Sequence, residues 1–278
     1  MTTRNIVLEG KHNKPILLDI FQNETQKPQP IIIFAHGYKG FKDWGHWDSI
    51  AEQFAENGFC FIKFNFSHNG GTVQNPIDFP DPEAFAQNNF SIELDDLKSV
   101  IDWVCSDSFS FNGDMNNISL IGHSRGGGIV LIKTAEDTRI KNVITWASVA
   151  DFGARFADEN AVAYWKANGV IYIENSRTKQ QLPHYYQFYE DFKANEERLT
   201  IKNAVQKIKV PMLIIHGSAD ETVQLKEGKA LHEWNPKSEL FVIENAGHTF
   251  GGSHPWEKPF LANNMQQTVT KSIAFLKH

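Results

Sequence analysis

Gly122-His123-Ser124-Arg125-Gly126-Gly127-Gly128 stands between the apolar run Ile118 to Ile121 and the helical-looking Ile129 to Ala135. A strand that turns sharply into a helix needs small residues on both sides of the turn, because the two backbones nearly touch there. Gly122 and Gly126 supply them, two positions before and two after Ser124. The serine is then held in a strained backbone conformation, of the kind found at working sites more than in packing. This is the G-x-S-x-G nucleophile-elbow pattern in its strand–turn–helix context. A glycine-rich turn of this kind can also cradle a phosphate. However, G-x-G-x-x-G and G-x-x-x-x-G-K-[ST] are absent, and the turn falls mid-chain instead of after the first strand.

Working outward, the chain alternates buried-strand runs with helical stretches. Asn5 to Glu9 and Pro15 to Phe21 read as an opening hairpin. Ile31 to Ala35, Phe59 to Phe64, Asn117 to Ile121, Val143 to Ala147, Val210 to Ile215 and Leu240 to Ile243 read as strands, several of them continuously apolar as in a sheet covered on both faces. Trp47 to Asn57, Ile92 to Val104, Val223 to Trp234 and Gln266 to Leu276 carry helical spacing. Thr72 to Asn89, rich in Pro, Asp and Asn, is expected to be a long surface loop. The alternation predicts an α/β class with a largely parallel, doubly covered sheet. From about 151 to 205 the rhythm breaks into an aromatic-rich stretch, expected to be a mainly helical cap inserted into one domain spanning 1–278. Its Tyr164, Trp165 and Tyr185, with Trp44 and Trp47 near the start of the chain, are candidates for lining a substrate cleft.

Composition narrows the classes of function. The chain has 278 residues, 41% hydrophobic and 22% charged, with a formal net charge of -6. That acidic balance and the lack of a basic run argue against nucleic-acid or anionic-membrane surfaces. Cys60 and Cys105 sit in apolar segments without disulfide-framework or metal-site spacing. No H-E-x-x-H occurs, since His232-Glu233 is followed by Pro236 where the second histidine belongs, so no metal is expected. No stretch reaches the roughly 18 apolar residues of a membrane span. The first residues lack an apolar signal core, so a cytoplasmic protein is expected.

A serine hydroxyl needs a base to take its proton, and the base needs a carboxylate to orient it. Ile214-Ile215-His216-Gly217-Ser218-Ala219-Asp220 ends one strand in a turn, and Val242-Ile243-Glu244-Asn245-Ala246-Gly247-His248 ends the next. The order Ser124, Asp220, His248 is that of α/β-hydrolases. Asp151, at the end of the strand after the elbow, is the rival acid, and His254 the rival histidine, read as a loop or rim residue. Ser67 and His68, at another strand end, are read as a polar surface loop or a substrate contact.

His36-Gly37, Gly122-His123-Ser124-Arg125-Gly126, His216-Gly217-Ser218-Ala219-Asp220 and Ala246-Gly247-His248 together resemble the α/β-hydrolase superfamily over nearly the whole chain outside the cap. Within it the chain is most similar to capped serine esterases: cinnamoyl and feruloyl esterase-like, dienelactone hydrolase-like and serine aminopeptidase-like members. The resemblance implies Ser124 as nucleophile, His248 as base then acid, and Asp220 as its orienter. It implies an oxyanion hole from the backbone N–H groups of Tyr38 and Arg125, with His36 shaping that loop. The expected reaction is cofactor-free hydrolysis of a small-molecule ester with a hydrophobic or aromatic acyl group. Two alternatives stand beside it. One is an aminopeptidase or amidase in which Asp158, Glu159 or Glu174 holds a substrate ammonium. The other is a binding protein on a hydrolase fold, although none of the three residues is missing.

Overall fold

The structure, a computed structural model, describes residues 1–156 and 158–277. Among the described residues, the strands in chain order are β1 Thr2–Glu9, β2 Pro15–Phe21, β3 Gln29–Ala35, β4 Cys60–Asn65, β5 Gly113–His123, β6 Ile140–Trp146, β7 Val170–Glu174, β8 Gln181–Tyr185, β9 Met212–Gly217 and β10 Glu239–Ile243. The helices are α1 Trp47–Glu56, α2 Pro82–Gln87, α3 Phe90–Val104, α4 Arg125–Glu136, α5 Glu159–Asn168, α6 Gln187–Ala194, α7 Glu196–Leu199, α8 Ile201–Lys207, α9 Leu225–Trp234 and α10 Asn263–Leu276.

Eight strands form one sheet in the order β1-β2-β4-β3-β5-β6-β9-β10. The β1–β2 and β2–β4 pairs are antiparallel and all others parallel. Side chains alternate across the pleat, so each central strand feeds two cores. Ile31, Ile33 and Ala35 of β3 join the core with Leu94, Leu97 and Ile101 of α3, Ile129 and Ile132 of α4, Val205 of α8 and Leu231 of α9. Ile32 and Phe34 join the opposite core with Ile50 and Phe54 of α1 and Met265 and Val269 of α10. Both faces are covered, which is why these strands read as unbroken apolar runs. No helix among the described residues is long and apolar enough to cross a membrane.

Two segments differ from the sequence reading. Residues 72–89 are not only surface loop. Asp81 caps α2 by accepting from the Ala84 N–H at 2.9 Å, with Pro82 opening the helix. Phe79 and Phe85 are buried with Phe41 and with Leu182 of β8, a partner about a hundred residues away that local composition does not announce. The segment between β6 and β9 is mainly helical but also holds an antiparallel β7–β8 ribbon. Gly169, at φ 72°, ends α5 in the left-handed region, and the run Val170-Ile171-Tyr172-Ile173 that follows is β-branched and aromatic.

Candidate active site

Ser124, between β5 and α4, holds the left-handed backbone conformation φ 56° and ψ -120°. Its N–H donates to the Trp146 carbonyl at 2.9 Å and its carbonyl accepts from the Gly127 N–H at 3.0 Å, which pins the strained residue on both sides. A Cβ at Gly122 would stand 2.3 Å from the Gly126 carbonyl oxygen, and one at Gly126 would stand 2.3 Å from that of Ala35. Both glycines are therefore required by close backbone approach, as their spacing predicts.

The strand ends converge three side chains. His248 Nδ1 lies 2.8 Å from Asp220 Oδ2, and His248 Nε2 lies 3.0 Å from Ser124 Oγ. A carboxylate can only accept, so Nδ1 carries the proton and Nε2 is left to accept from the serine hydroxyl. The other Asp220 oxygen accepts from the Thr222 and Val223 N–H groups, each at 2.9 Å. Burial alone would raise the Asp220 pKa, but the hydrogen bond and charge of His248 and these two N–H groups hold it below the ordinary carboxylate range. Two further histidines brace the arrangement. His123 Nε2 donates to the His248 carbonyl at 3.0 Å, and burial pushes its pKa down to about 3, so it is a neutral strut. His216 Nε2 donates to the Val223 carbonyl at 2.7 Å, fixing the turn that carries Asp220.

The loop after β3 runs against the elbow, since a Cβ at Gly37 would stand 2.9 Å from Ser124 Cβ. His36 closes this loop through Nδ1 to the Gly37 carbonyl at 2.9 Å. Among the described residues the N–H groups of Tyr38 and of Arg125, the first residue of α4, have no backbone acceptor.

Two cavities meet at Ser124. The larger, of about 340 Å³, is lined mainly by apolar side chains including Phe90, Phe152, Trp165, Ile171 and Phe188, with Tyr38, Arg125, Arg155, Asp158, His184 and Thr222 among its polar members. The smaller, of about 130 Å³, is lined by Gly37, Trp44, Trp47, His123, His248 and Thr249.

A family model described as BD-FAE matches residues 18–235. The chain belongs to the BD-FAE family. Among curated relatives, it is 24% identical over 255 residues to the probable isoprenylcysteine alpha-carbonyl methylesterase ICME of Oryza sativa subsp. japonica, covering 84% of this chain and 55% of that protein. To the esterase LipC of Mycobacterium tuberculosis it is 23% identical over 249 residues, covering 84% and 57%. The chain thus spans about half the length of such curated relatives. Among solved structures, Est1E from Butyrivibrio proteoclasticus superposes with TM-score 0.73 at 16% identity, over 99% of this chain and 98% of that one. The structure of the DcsB complex with its substrate analogue superposes with TM-score 0.74 at 15% identity, over 100% and 99%. These likenesses show an α/β-hydrolase fold.

In this BD-FAE chain, Trp165 faces the large cavity and Trp44 and Trp47 the small one. Tyr164 and Tyr185 are corrections, for they line neither. Neighbours on a helix point about 100° apart, so the inward Trp165 leaves Tyr164 outward and 64% exposed. Neighbours on a strand point to opposite faces, and here His184 turns inward while the Tyr185 hydroxyl donates to Glu83 at 2.6 Å. His184 and the Arg125 side chain were missed as cavity residues, and only the strand phase of β8 carries a signal for the first. Asp151 is exposed and accepts from the Gly153 N–H at 2.7 Å. The His254 ring accepts from the Gly45 N–H at 2.8 Å. Ser67 and His68 are not surface residues: both are buried and bonded to each other at 2.8 Å, and they line neither cavity.

Asp19, Asp43 and Asp48 bring carboxylate oxygens within 4.8 Å of one another, the donor set of a hard cation. The buried Lys63 ammonium lies 2.9, 2.6 and 2.6 Å from them, while Lys42 pairs with Asp19 and Arg4 with Asp48. Three side-chain cations already neutralise the three carboxylates, so the donor set does not fit an added ion.

Proposed function

We propose that the chain is a serine hydrolase of carboxylic esters that works through an acyl-enzyme, with the insertion at about 151–205 as a cap over its acyl site. The observation that carries this reading is the hydrogen-bonded line Asp220–His248–Ser124 at a strained elbow opening into an apolar cavity. Ser124 Oγ attacks the ester carbonyl as His248 Nε2 takes its proton. The oxyanion is met by the free N–H groups of Tyr38 and Arg125. His248 then returns the proton to the leaving alcohol, and water repeats the sequence to release the acid. Because the leaving oxygen must reach His248, the alcohol belongs in the smaller cavity and the acyl group in the larger. The apolar lining of the larger cavity supports a hydrophobic or aromatic acyl group.

A second reading, aminopeptidase or amidase, is favoured by Asp158 lining the large cavity. That carboxylate is partly used, since Oδ1 caps α5 by accepting from the Asn160 and Ala161 N–H groups. A fluorophosphonate probe should label the protein, and Ser124→Ala should abolish labelling; equal labelling of that variant would exclude Ser124 as nucleophile. Nitrophenyl esters of graded acyl size should be hydrolysed faster than matching aminoacyl anilides. Anilide turnover without ester turnover selects the second reading.

A further inference from the structure

The large cavity is lined mainly by apolar side chains, and the wall that carries Arg125, Tyr38 and His184 beside Ser124 offers more donors than acceptors. The Arg125 guanidinium is stacked within 4.2 Å of the Tyr38 ring centroid and within 5.2 and 5.4 Å of those of Phe188 and Phe90. It has five N–H donors. Among the described residues its side chain makes one hydrogen bond, from Nη1 to Glu93 Oε1 at 3.2 Å. The remaining guanidinium nitrogens are not among the fully enclosed, unpartnered atoms, and the side chain keeps 16% exposure while lining the cavity.

Next to it, Tyr38 Oη and His184 Nε2 are 2.6 Å apart. Burial raises the Tyr38 pKa to about 12 and lowers that of His184 to about 3, so both are neutral near pH 7. A neutral phenol and a neutral imidazole hold two polar hydrogens and share one bond. Whichever atom donates, one hydrogen is left over.

Two other polar groups at the cavity are partly engaged elsewhere. Arg155 donates to both oxygens of Glu227 at 3.0 and 3.3 Å, and Asp158 caps α5. Unused donors beside an apolar cavity wall are matched by an acceptor on the ligand. Glu93 decides its charge. Its Oε1 is shared by Arg125 and by the Asn88 amide at 2.8 Å, so the arginine is already neutralised by a buried carboxylate. A second carboxylate on the ligand would meet that negative charge, whereas a neutral oxygen would not.

We propose that the Arg125 side chain, with the Tyr38–His184 pair, determines specificity by binding an uncharged oxygen on the acyl group: a keto, ether or hydroxyl oxygen on an otherwise apolar chain. This rests on the ester-hydrolase reading for its chemistry, but the binding step can be measured apart from it.

The test compares nitrophenyl esters of octanoate, its 3-, 4-, 5- and 6-oxo isomers, and the half-ester of suberate. At least one oxo isomer should exceed octanoate in kcat/KM by about 10- to 100-fold, as a hydrogen bond to a charged group allows, chiefly through KM. Arg125→Met should bring that ratio close to one, and Arg125→Lys, which keeps a charged donor, should retain part of it. Glu93→Gln should raise suberate half-ester turnover relative to octanoate. Absence of any oxo preference in the unaltered protein overturns the proposal, as does an undiminished preference in Arg125→Met. Calorimetry of octanamide and the oxo-octanamides with the Ser124→Ala protein separates binding from chemistry. Tighter oxo-amide binding that is lost on Arg125→Met, without turnover of any ester, sinks the esterase reading and leaves this one standing; equal binding of all amides sinks this one.

Discussion

At the scale of single residues, Asp220 offers the sharpest separation of chemistry from stability. Its two oxygens have different partners: one takes the Thr222 and Val223 N–H groups, the other His248 Nδ1. In Asp220→Asn the amide oxygen is drawn to the two backbone donors, which can only give protons. The NH2 then faces His248 Nδ1 and selects the tautomer with its proton on Nε2. That imidazole can no longer accept from Ser124. We expect kcat to fall by about 10⁴-fold, the loss found when a triad carboxylate is neutralised in serine hydrolases, with KM and far-UV circular dichroism little changed. A fall of less than tenfold would argue that Asp220 does not set the tautomer.

At the scale of elements, the β5–elbow–α4 unit and the loop after β3 are held together by the absence of side chains. A methyl at Gly126 would press on the carbonyl oxygens of Ala35 and His36 at 2.3 and 2.5 Å, both backbone atoms that no rotamer change relieves. Gly126→Ala should therefore cost about 1–3 kcal/mol of stability, as overpacking does, measured by urea unfolding. It should also lower activity beyond the loss of folded protein, because the Tyr38 loop must move. Gly247→Ala, whose Cβ would be 4.0 Å from its nearest neighbour, is the stability control. This unit was legible in the sequence because its requirement is local: glycines at fixed offsets from a serine, between an apolar strand and a helix. The convergence of Asp220 and His248 was legible too, as both sit just past the ends of apolar strand runs. The cavity lining was not. Whether Tyr164 or Trp165 turns inward depends on the rotational phase of α5, and the burial of Phe79 and Phe85 depends on Leu182 of β8, about a hundred residues away. Those are long-range facts that a local pattern does not carry.

For the molecule as a whole, buried histidines set the acid limit of the fold. Burial pushes His36 down to about 4 and His123 and His184 to about 3, from an ordinary value near 6.5. The folded chain keeps these rings neutral while the unfolded chain protonates them. Their stabilisation is thus fully present above pH 6.5 and is lost as pH falls toward 4 and 3. Each contributes a loss of about 1.4 kcal/mol per pH unit across that window. Asp96 works in the opposite sense. Burial raises its carboxyl to about 7 against the hydrogen bonds of Ser67, so its cost is present at neutral pH and relieved as pH falls. With His46 and His68 also pushed down to about 4 by burial, five rings against one carboxyl leave a net uptake of protons on unfolding between pH 6.5 and 4. The urea midpoint should therefore drop from pH 7.5 to pH 5. Asp96→Asn, whose amide oxygen can still accept from the Ser67 N–H, removes the opposing group. It should raise the midpoint at pH 7.5 and steepen the fall toward pH 5. An unchanged slope in that variant would mean that Asp96 is not the group whose buried charge the fold tolerates.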